Sequence, residues 1–268
     1  MGTSGPRLEA LRRRQLADSY QAGGEHYDRI RPGYPAEAVQ WLVSRPGPAV
    51  RDVADVGAGT GKYTRELHAA GLNVVAVDPS ADMLAQLSRS LPSVPAHVGT
   101  AEDTGLPDAC VDAVTVAQAW HWCDPVAASR EFERILRPHG VVGLVWNQLD
   151  VSVPWVHRYS RIIHAGDVLR PGFRPALGDG LTLDASSTDA WTQPMTPEDL
   201  FELAKSRAFY LSAGPEARRK LHANLTWYLF EHLGYRPGEV VQLPYLTLTW
   251  RAVRSGSGTT AGGATPGT

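Results

Sequence analysis

Three groups of residues have the types and spacing to do chemistry. In Asp55-Val56-Gly57-Ala58-Gly59-Thr60-Gly61, glycines recur at alternate positions just behind a short apolar run. Glycines so placed let the backbone turn tightly and let a ligand lie against it without an intervening side chain. A second acid, Asp78, closes the next apolar run roughly 20 residues on, where a carboxylate can accept both hydroxyls of a ribose. Together these two groups specify a nucleoside-bearing ligand. The third, Gln118-Ala119-Trp120-His121-Trp122, ends a later apolar run and brings an amide, an imidazole and indoles to one place.

The spacing narrows the nucleoside. A pyrophosphate fingerprint wants G-x-G-x-x-G, whereas here the third glycine comes one residue early and Lys62 follows it. Asp55 at the start of the loop would repel a pyrophosphate but suits an ammonium or sulfonium cation. Both features favour S-adenosylmethionine over NAD. Methyl transfer from a sulfonium is an in-line displacement, so a protein that promotes it must align the partners and exclude water. It must also take a proton from a hydroxyl or amine acceptor, whereas a carboxylate needs no base. His121 fits three roles: that base, a hydrogen-bonding group that orients the acceptor, or a structural residue between Trp120 and Trp122. Trp120 and Trp122 fit either the wall of a methyl-transfer channel or the core.

These residues need a scaffold, and the pattern around them supplies one. Apolar runs at 53–56, 73–77, 95–98, 111–117 and 141–146 alternate with helical stretches at 62–70, 80–90 and 126–136. Runs apolar on both faces and joined by crossover helices predict a doubly wound α/β fold, a mostly parallel sheet covered on both sides. In such sheets ligands bind beyond the carboxyl ends of the strands, where all three groups stand. Earlier in the chain, 8–21 reads as an amphipathic helix. Beyond 147 the pattern loosens: helices are predicted at 155–163, 197–207 and 215–233, a Gly/Pro/Asp-rich stretch runs to 189, and a last strand spans 240–253. Residues 1–254 are therefore expected to form one domain, with a cofactor core over 19–147 and a helical substrate lid over 148–235. Residues 255–268, which lack large apolar side chains, are expected to be a disordered tail.

Composition excludes other classes. The 268 residues carry 26 Lys+Arg against 28 Asp+Glu, a formal charge of -2, so there is no excess positive field to hold a phosphate backbone. The expected partner is a small molecule rather than nucleic acid. No apolar run reaches the ~18–20 residues of a membrane helix. The two cysteines, Cys110 and Cys123, build no disulfide framework, so the chain reads as cytoplasmic. His157 and His164 lack a third ligand at metal-site spacing, and no metal is expected. Oligomeric state is not encoded in any of these features.

The blocks in order resemble the class I S-adenosylmethionine-dependent methyltransferases, particularly the small-molecule branch called methyltransferase type 11. The loop at 55–61 resembles that family's first motif, and Val77-Asp78-Pro79-Ser80 with Met83-Leu84 its second. Gly99-Thr100-Ala101-Glu102 resembles the adenine-side loop, and Ile135-Leu136-Arg137-Pro138-His139-Gly140 the turn before the fifth strand. The resemblance implies a seven-stranded Rossmann-like sheet and S-adenosylmethionine as cofactor. It places Gly57, Gly59 and Gly61 at the methionine and ribose, Asp78 at the ribose, Pro79 and Met83 at the adenine ring, and Ala101 and Glu102 at its amine. Gln118 would touch the adenosine or methionine part. Tyr27-Asp28-Arg29-Ile30-Arg31-Pro32-Gly33-Tyr34-Pro35 resembles a segment that closes over the cofactor, with Tyr27 near the sulfonium and Arg31 on the methionine carboxylate. Tyr27 as packing and Arg31 as a solvated charge is the competing reading. The run at 118–122 is similar to one in small-acid methyltransferases, and Arg207 resembles their carboxylate clamp, a solvated surface arginine being the default. The implied activity is methyl transfer to a small molecule at oxygen, hydroxyl or carboxylate. The alternative is a cofactor-binding enzyme of the same fold that catalyses cyclisation, rearrangement or elimination.

Overall fold

The computed structural model describes residues 30–45, 47–166, 169 and 172–255. The 8–21 segment, Tyr27 and the tail from 256 on lie outside the described residues. The strands are β1 (Asp52–Val56), β2 (Asn73–Asp78), β3 (Ala96–Val98), β4 (Val111–Ala117), β5 (Leu136–Leu149), β6 (Leu181–Met195) and β7 (Val241–Arg254). They form one seven-stranded sheet in the order β3-β2-β1-β4-β5-β7-β6. The first five are mutually parallel, while β7 runs antiparallel to both β5 and β6. The helices are α1 (Ala36–Val43), α2 (Lys62–Ala69), α3 (Ala81–Ser90), α4 (Pro125–Ile135), α5 (Pro154–Ile162), α6 (Pro197–Lys205), α7 (Ala208–Ser212) and α8 (Pro215–Thr226), the last continuing into a π-turn over Trp227–His232.

The period-2 geometry of β5 shows why both faces of the sheet are apolar. Val142, Leu144 and Trp146 join Phe132 and Ile135 of α4 in one core, and Val141 and Val145 join Leu42 of α1, Leu67 of α2 and Leu87 of α3 in the other. Each such side chain contributes about 1.5–3 kcal/mol on burial. Gly143 lies where α1 comes closest, since a Cβ there would stand 2.4 Å from Leu42 Cδ2.

The doubly wound class and the seven strands are as expected, and one boundary needs correction. Residues Leu181–Met195, expected within the lid, form edge strand β6, so the 148–235 span is not all lid. Its outward positions include Thr182, Asp184, Ser186, Thr188 and Thr192, and its inward ones run Leu181, Leu183, Ala185, Ser187, Asp189 and Trp191, so the apolar alternation is interrupted in mid-strand by Ser187 and Asp189. The rest of the second half does form a third core. Tyr159 of α5, Leu200 and Leu203 of α6, Leu225 of α8 and Leu229 of the π-turn pack with Leu149 and Tyr245, which face each other across β5 and β7. This helical cap therefore sits beyond the carboxyl end of β5. Among the described residues no helix is long and apolar enough to cross a membrane.

Candidate active site

The glycine loop joins β1 to α2 and is tied to the neighbouring strand by two hydrogen bonds, from the amides of Gly57 (2.8 Å) and Ala58 (3.1 Å) to the Val77 carbonyl. All three glycines have positive φ, but they serve different ends. A Cβ on Gly57 would stand 2.5 Å from Ala119 Cβ, and one on Gly61 would stand 2.9 Å from Leu87, so both are glycines for packing. A Cβ on Gly59 would meet nothing within 4 Å. Of the three, Gly59 alone faces open space, at the rim of the loop.

Asp78 stands opposite that opening. Its Oδ2 accepts from the Gly59 amide and its Oδ1 from the Ser80 amide, both at 2.8 Å, and the residue is buried. Burial pushes its carboxyl above the usual range, against the pull of those two amides. The carboxylate is thus fixed in orientation by the loop it serves. Asp55, expected to favour a cationic ligand directly, instead lies beneath the loop at 1% exposure. Thr64 Oγ1 donates to its Oδ2 (2.6 Å) and Thr115 Oγ1 to its Oδ1 (2.8 Å). Burial pushes its carboxyl up to about 6, the two hydroxyls and a Thr64 backbone hydrogen bond opposing this and the Asp78 charge adding to it. Asp55 therefore acts through the loop and not on a ligand.

On the adenine side of the resemblance, Ser80 caps α3 by accepting from the Met83 amide, Met83 and Ala101 are buried, and Pro79 is exposed. Glu102 is committed elsewhere than expected: its Oε1 accepts from the Asp124 amide (2.7 Å), tying this loop to the start of α4. The polypeptide after β4 is the most constrained part of the site. Gln118 adopts a left-handed backbone (φ 57°), rare for a residue with a side chain, and its Nε2 donates to the Asn147 carbonyl at 2.6 Å. Ala119 then meets Gly57, and a 3₁₀ turn spans Trp120–Trp122. Of the readings open for Trp120, the structure places it in the core. It is 5% exposed, its indole donates to the Ala176 carbonyl (2.9 Å), and its ring lies 5.8 Å from Phe132. His121 is exposed with its ring 4.6 Å from the half-buried Trp122.

The helical cap and the segment before α1 bring two arginines to this end of the sheet. Arg207, for which solvation was the default, is 5% exposed at the start of α7. Arg31 is half-buried, and its Nη2 donates to the Ser206 carbonyl next door (2.8 Å). Both guanidinium charges act on the buried Tyr159 phenol, pulling its pKa down against the burial that raises it. His157 and His164 are exposed, His164 stacking on Phe209 at 3.8 Å, and among the described residues no three His, Cys, Asp or Glu side chains are grouped to hold a metal. Sequence reasoning missed Thr64, Thr115 and Asn147. Only Asn147 left a signal, as a polar residue at the end of the strongest apolar run.

Comparison with known proteins agrees with this fold. The family model described as a methyltransferase domain matches residues 54–144. An uncharacterized methyltransferase of Mycobacterium tuberculosis is 41% identical over 241 residues, covering 90% of this chain and 97% of that protein. The malonyl-[acyl-carrier protein] O-methyltransferase of Pectobacterium atrosepticum is 33% identical over 135 residues, 50% of this chain and 53% of that protein. A solved structure from Anaeromyxobacter dehalogenans, assigned as a type II methyltransferase, superposes with a TM-score of 0.64 at 24% identity, covering 84% of this chain and 97% of that one.

Proposed function

The chain belongs to the class I S-adenosylmethionine-dependent methyltransferases, and from that premise we propose that it methylates an oxygen atom of a small-molecule acceptor. The described cradle fits the adenosyl part of the cofactor. Gly59 offers backbone with no side chain over it, and the amide-fixed carboxylate of Asp78 retains lone pairs to accept ribose hydroxyls. Pro79 and Met83 flank the adenine in this reading, with Ala101 and the loop held by Glu102 at its edge. When bound, S-adenosylmethionine supplies a methyl group on a cationic sulfur. Gly57 and Gly61 hold the loop against Ala119 and α3, and Gln118 fixes the end of β4 beside it.

The observation that carries the choice of acceptor is the burial of Arg207 in the lid, with the Arg31 guanidinium hydrogen-bonded to the adjoining carbonyl. Two guanidinium groups close together give this part of the cap a positive field, and a guanidinium recognises a carboxylate with two parallel hydrogen bonds. An acceptor bearing a carboxylate fits that environment, and the O-methyltransferase among the relatives supports oxygen as the methylated atom. For a carboxylate oxygen no proton need be removed, and His121 and Trp122 then orient the acceptor. For a hydroxyl, the exposed His121 imidazole is the base this strand end offers. A near-neutral charge balance argues against a nucleic-acid acceptor.

The test is transfer of labelled methyl from S-adenosylmethionine to a panel of small carboxylic acids, phenols and amines, with products identified by mass and by the base lability of methyl esters. Ester or ether products together with S-adenosylhomocysteine are expected. Arg207→Ala should raise KM for acidic acceptors roughly 10–100-fold while changing kcat less. Methylation confined to amines overturns the oxygen assignment.

A further inference from the structure

We propose that Asn147, at the carboxyl end of β5, is a positioning residue that clamps residues 31–35 across the cofactor end of the sheet; this inference rests on the cofactor reading above. Asn147 is 2% exposed, yet every polar group it carries beyond its strand is used between segments far apart in the chain. Its Nδ2 donates to the Gly33 carbonyl at 2.6 Å. Its Oδ1 accepts from Thr247 Oγ1 of β7, whose oxygen in turn accepts from the Trp191 indole of β6 at 2.9 Å. Its backbone carbonyl accepts the Gln118 side-chain amide. β4 ends at Ala117, so this amide supplies the donor that a longer β4 would have placed there.

The clamped segment has two further ties. Arg31 reaches the lid through the Ser206 carbonyl, and the Tyr34 ring packs edge-on against Tyr63 of α2, 4.9 Å between centroids. Residues 31–35 thus run from the lid, over the tip of β5, to the helix that follows the glycine loop. Asn147 holds the middle of that strap. The same residue fixes Gln118, and through Ala119 the neighbourhood of Gly57. Loosening the middle tie leaves both ends attached but lets the strap lift from the strand tips beside the glycine loop. The consequence is faster escape of a ligand held under it, without loss of the fold. The tie is between neutral groups, so its effect is independent of pH across the neutral range.

Two variants separate the strap tie from the brace to β7. Thr247→Val removes only the brace, whereas Asn147→Ala removes both. Both should lower Tm, Asn147→Ala by more, but only Asn147→Ala should weaken S-adenosylhomocysteine binding, by roughly tenfold, and speed its dissociation by a similar factor. Asn147→Asp keeps an acceptor for Thr247 and loses the donor to Gly33, so it provides the same comparison if the alanine variant fails to fold. Titration calorimetry and stopped-flow with S-adenosylhomocysteine give the readout. If the wild-type protein does not bind it, the cofactor reading fails. If the wild type binds and both Asn147 variants match Thr247→Val within about twofold, the positioning role fails and Asn147 is a structural residue only.

Discussion

Replacing Asp55 by asparagine removes a charge that the fold holds at a cost. The carboxyl is wholly buried, its pKa rises from the ordinary 3.8 to about 6, and its side-chain partners are the hydroxyls of Thr64 and Thr115. The unfolded chain therefore releases this proton near 3.8 and the folded chain near 6. Between those values the native state binds more protons, so Asp55 makes stability fall as pH rises through that window. The gap corresponds to about 3 kcal/mol against the native state above pH 6, discounted to about 2–3 kcal/mol for the span from about pH 4 to about pH 7.5. An asparagine can accept from one threonine and donate to the other, and it titrates nowhere. The Asp55→Asn variant should therefore gain on the wild type by about 2–3 kcal/mol between about pH 4 and about pH 7.5, whatever the constant cost of repacking. Urea melts of the two proteins at both pH values measure this difference of differences. A difference unchanged to within about 0.5 kcal/mol would show that the carboxyl titrates normally and that the buried-charge account of the loop is wrong.

Other outcomes follow from the same site. Asp78→Ala removes the acceptor proposed for the ribose and the two amide bonds that orient it, and should weaken S-adenosylhomocysteine binding by about 1–3 kcal/mol in calorimetry; unchanged affinity overturns the ribose assignment. Gly57→Ala forces a contact with Ala119 and should lower Tm by several degrees, whereas Gly59→Ala has room for its methyl, so its stability loss should stay near the ~1 kcal/mol of left-handed strain while ligand affinity falls. His121→Ala should cut kcat about 10²–10⁴-fold for hydroxyl acceptors and change it little for carboxylates. Equal loss on both acceptor classes would refute the role of base.

The glycine loop and Asp78 were legible because their demands are made by the backbone: alternate glycines can satisfy them and few other sequences can. The parallel strands were legible because two-sided burial leaves continuous apolar runs, as in β4 and β5. β6 was not, because Ser186, Ser187, Thr188 and Asp189 make the middle of this edge strand polar on both faces and break the alternation that Leu181, Leu183 and Ala185 begin. The direction of Asp55 was not legible because an acid before a glycine loop can point at a ligand or at the core, and only Thr64 and Thr115 decide between them. Arg207 was legible as a residue but not as a buried one. A guanidinium on a short helix defaults to water unless the packing of α5 and α6 around it is known. Asn147 escaped for the same reason: its partners Gly33, Gln118 and Thr247 are distant in sequence, and nothing local marks them as neighbours.

The place of β7 between β5 and β6 sets the order in which this enzyme can be made. Among the described residues β6 has β7 as its sole strand neighbour and β7 is the last strand. While the ribosome is still producing residues 196–240, the parallel half of the sheet can pair, but β6 has nothing to pair with and β5 has an open edge. A nascent chain at that stage exposes Trp146 and Leu144 without the Trp250 strand that covers them, a surface prone to association. Closing the sheet with the final strand also delivers Thr247 to Asn147. The β7 side of β5 therefore stays uncovered until residues 241–254 have been made, about a hundred residues after β5 itself.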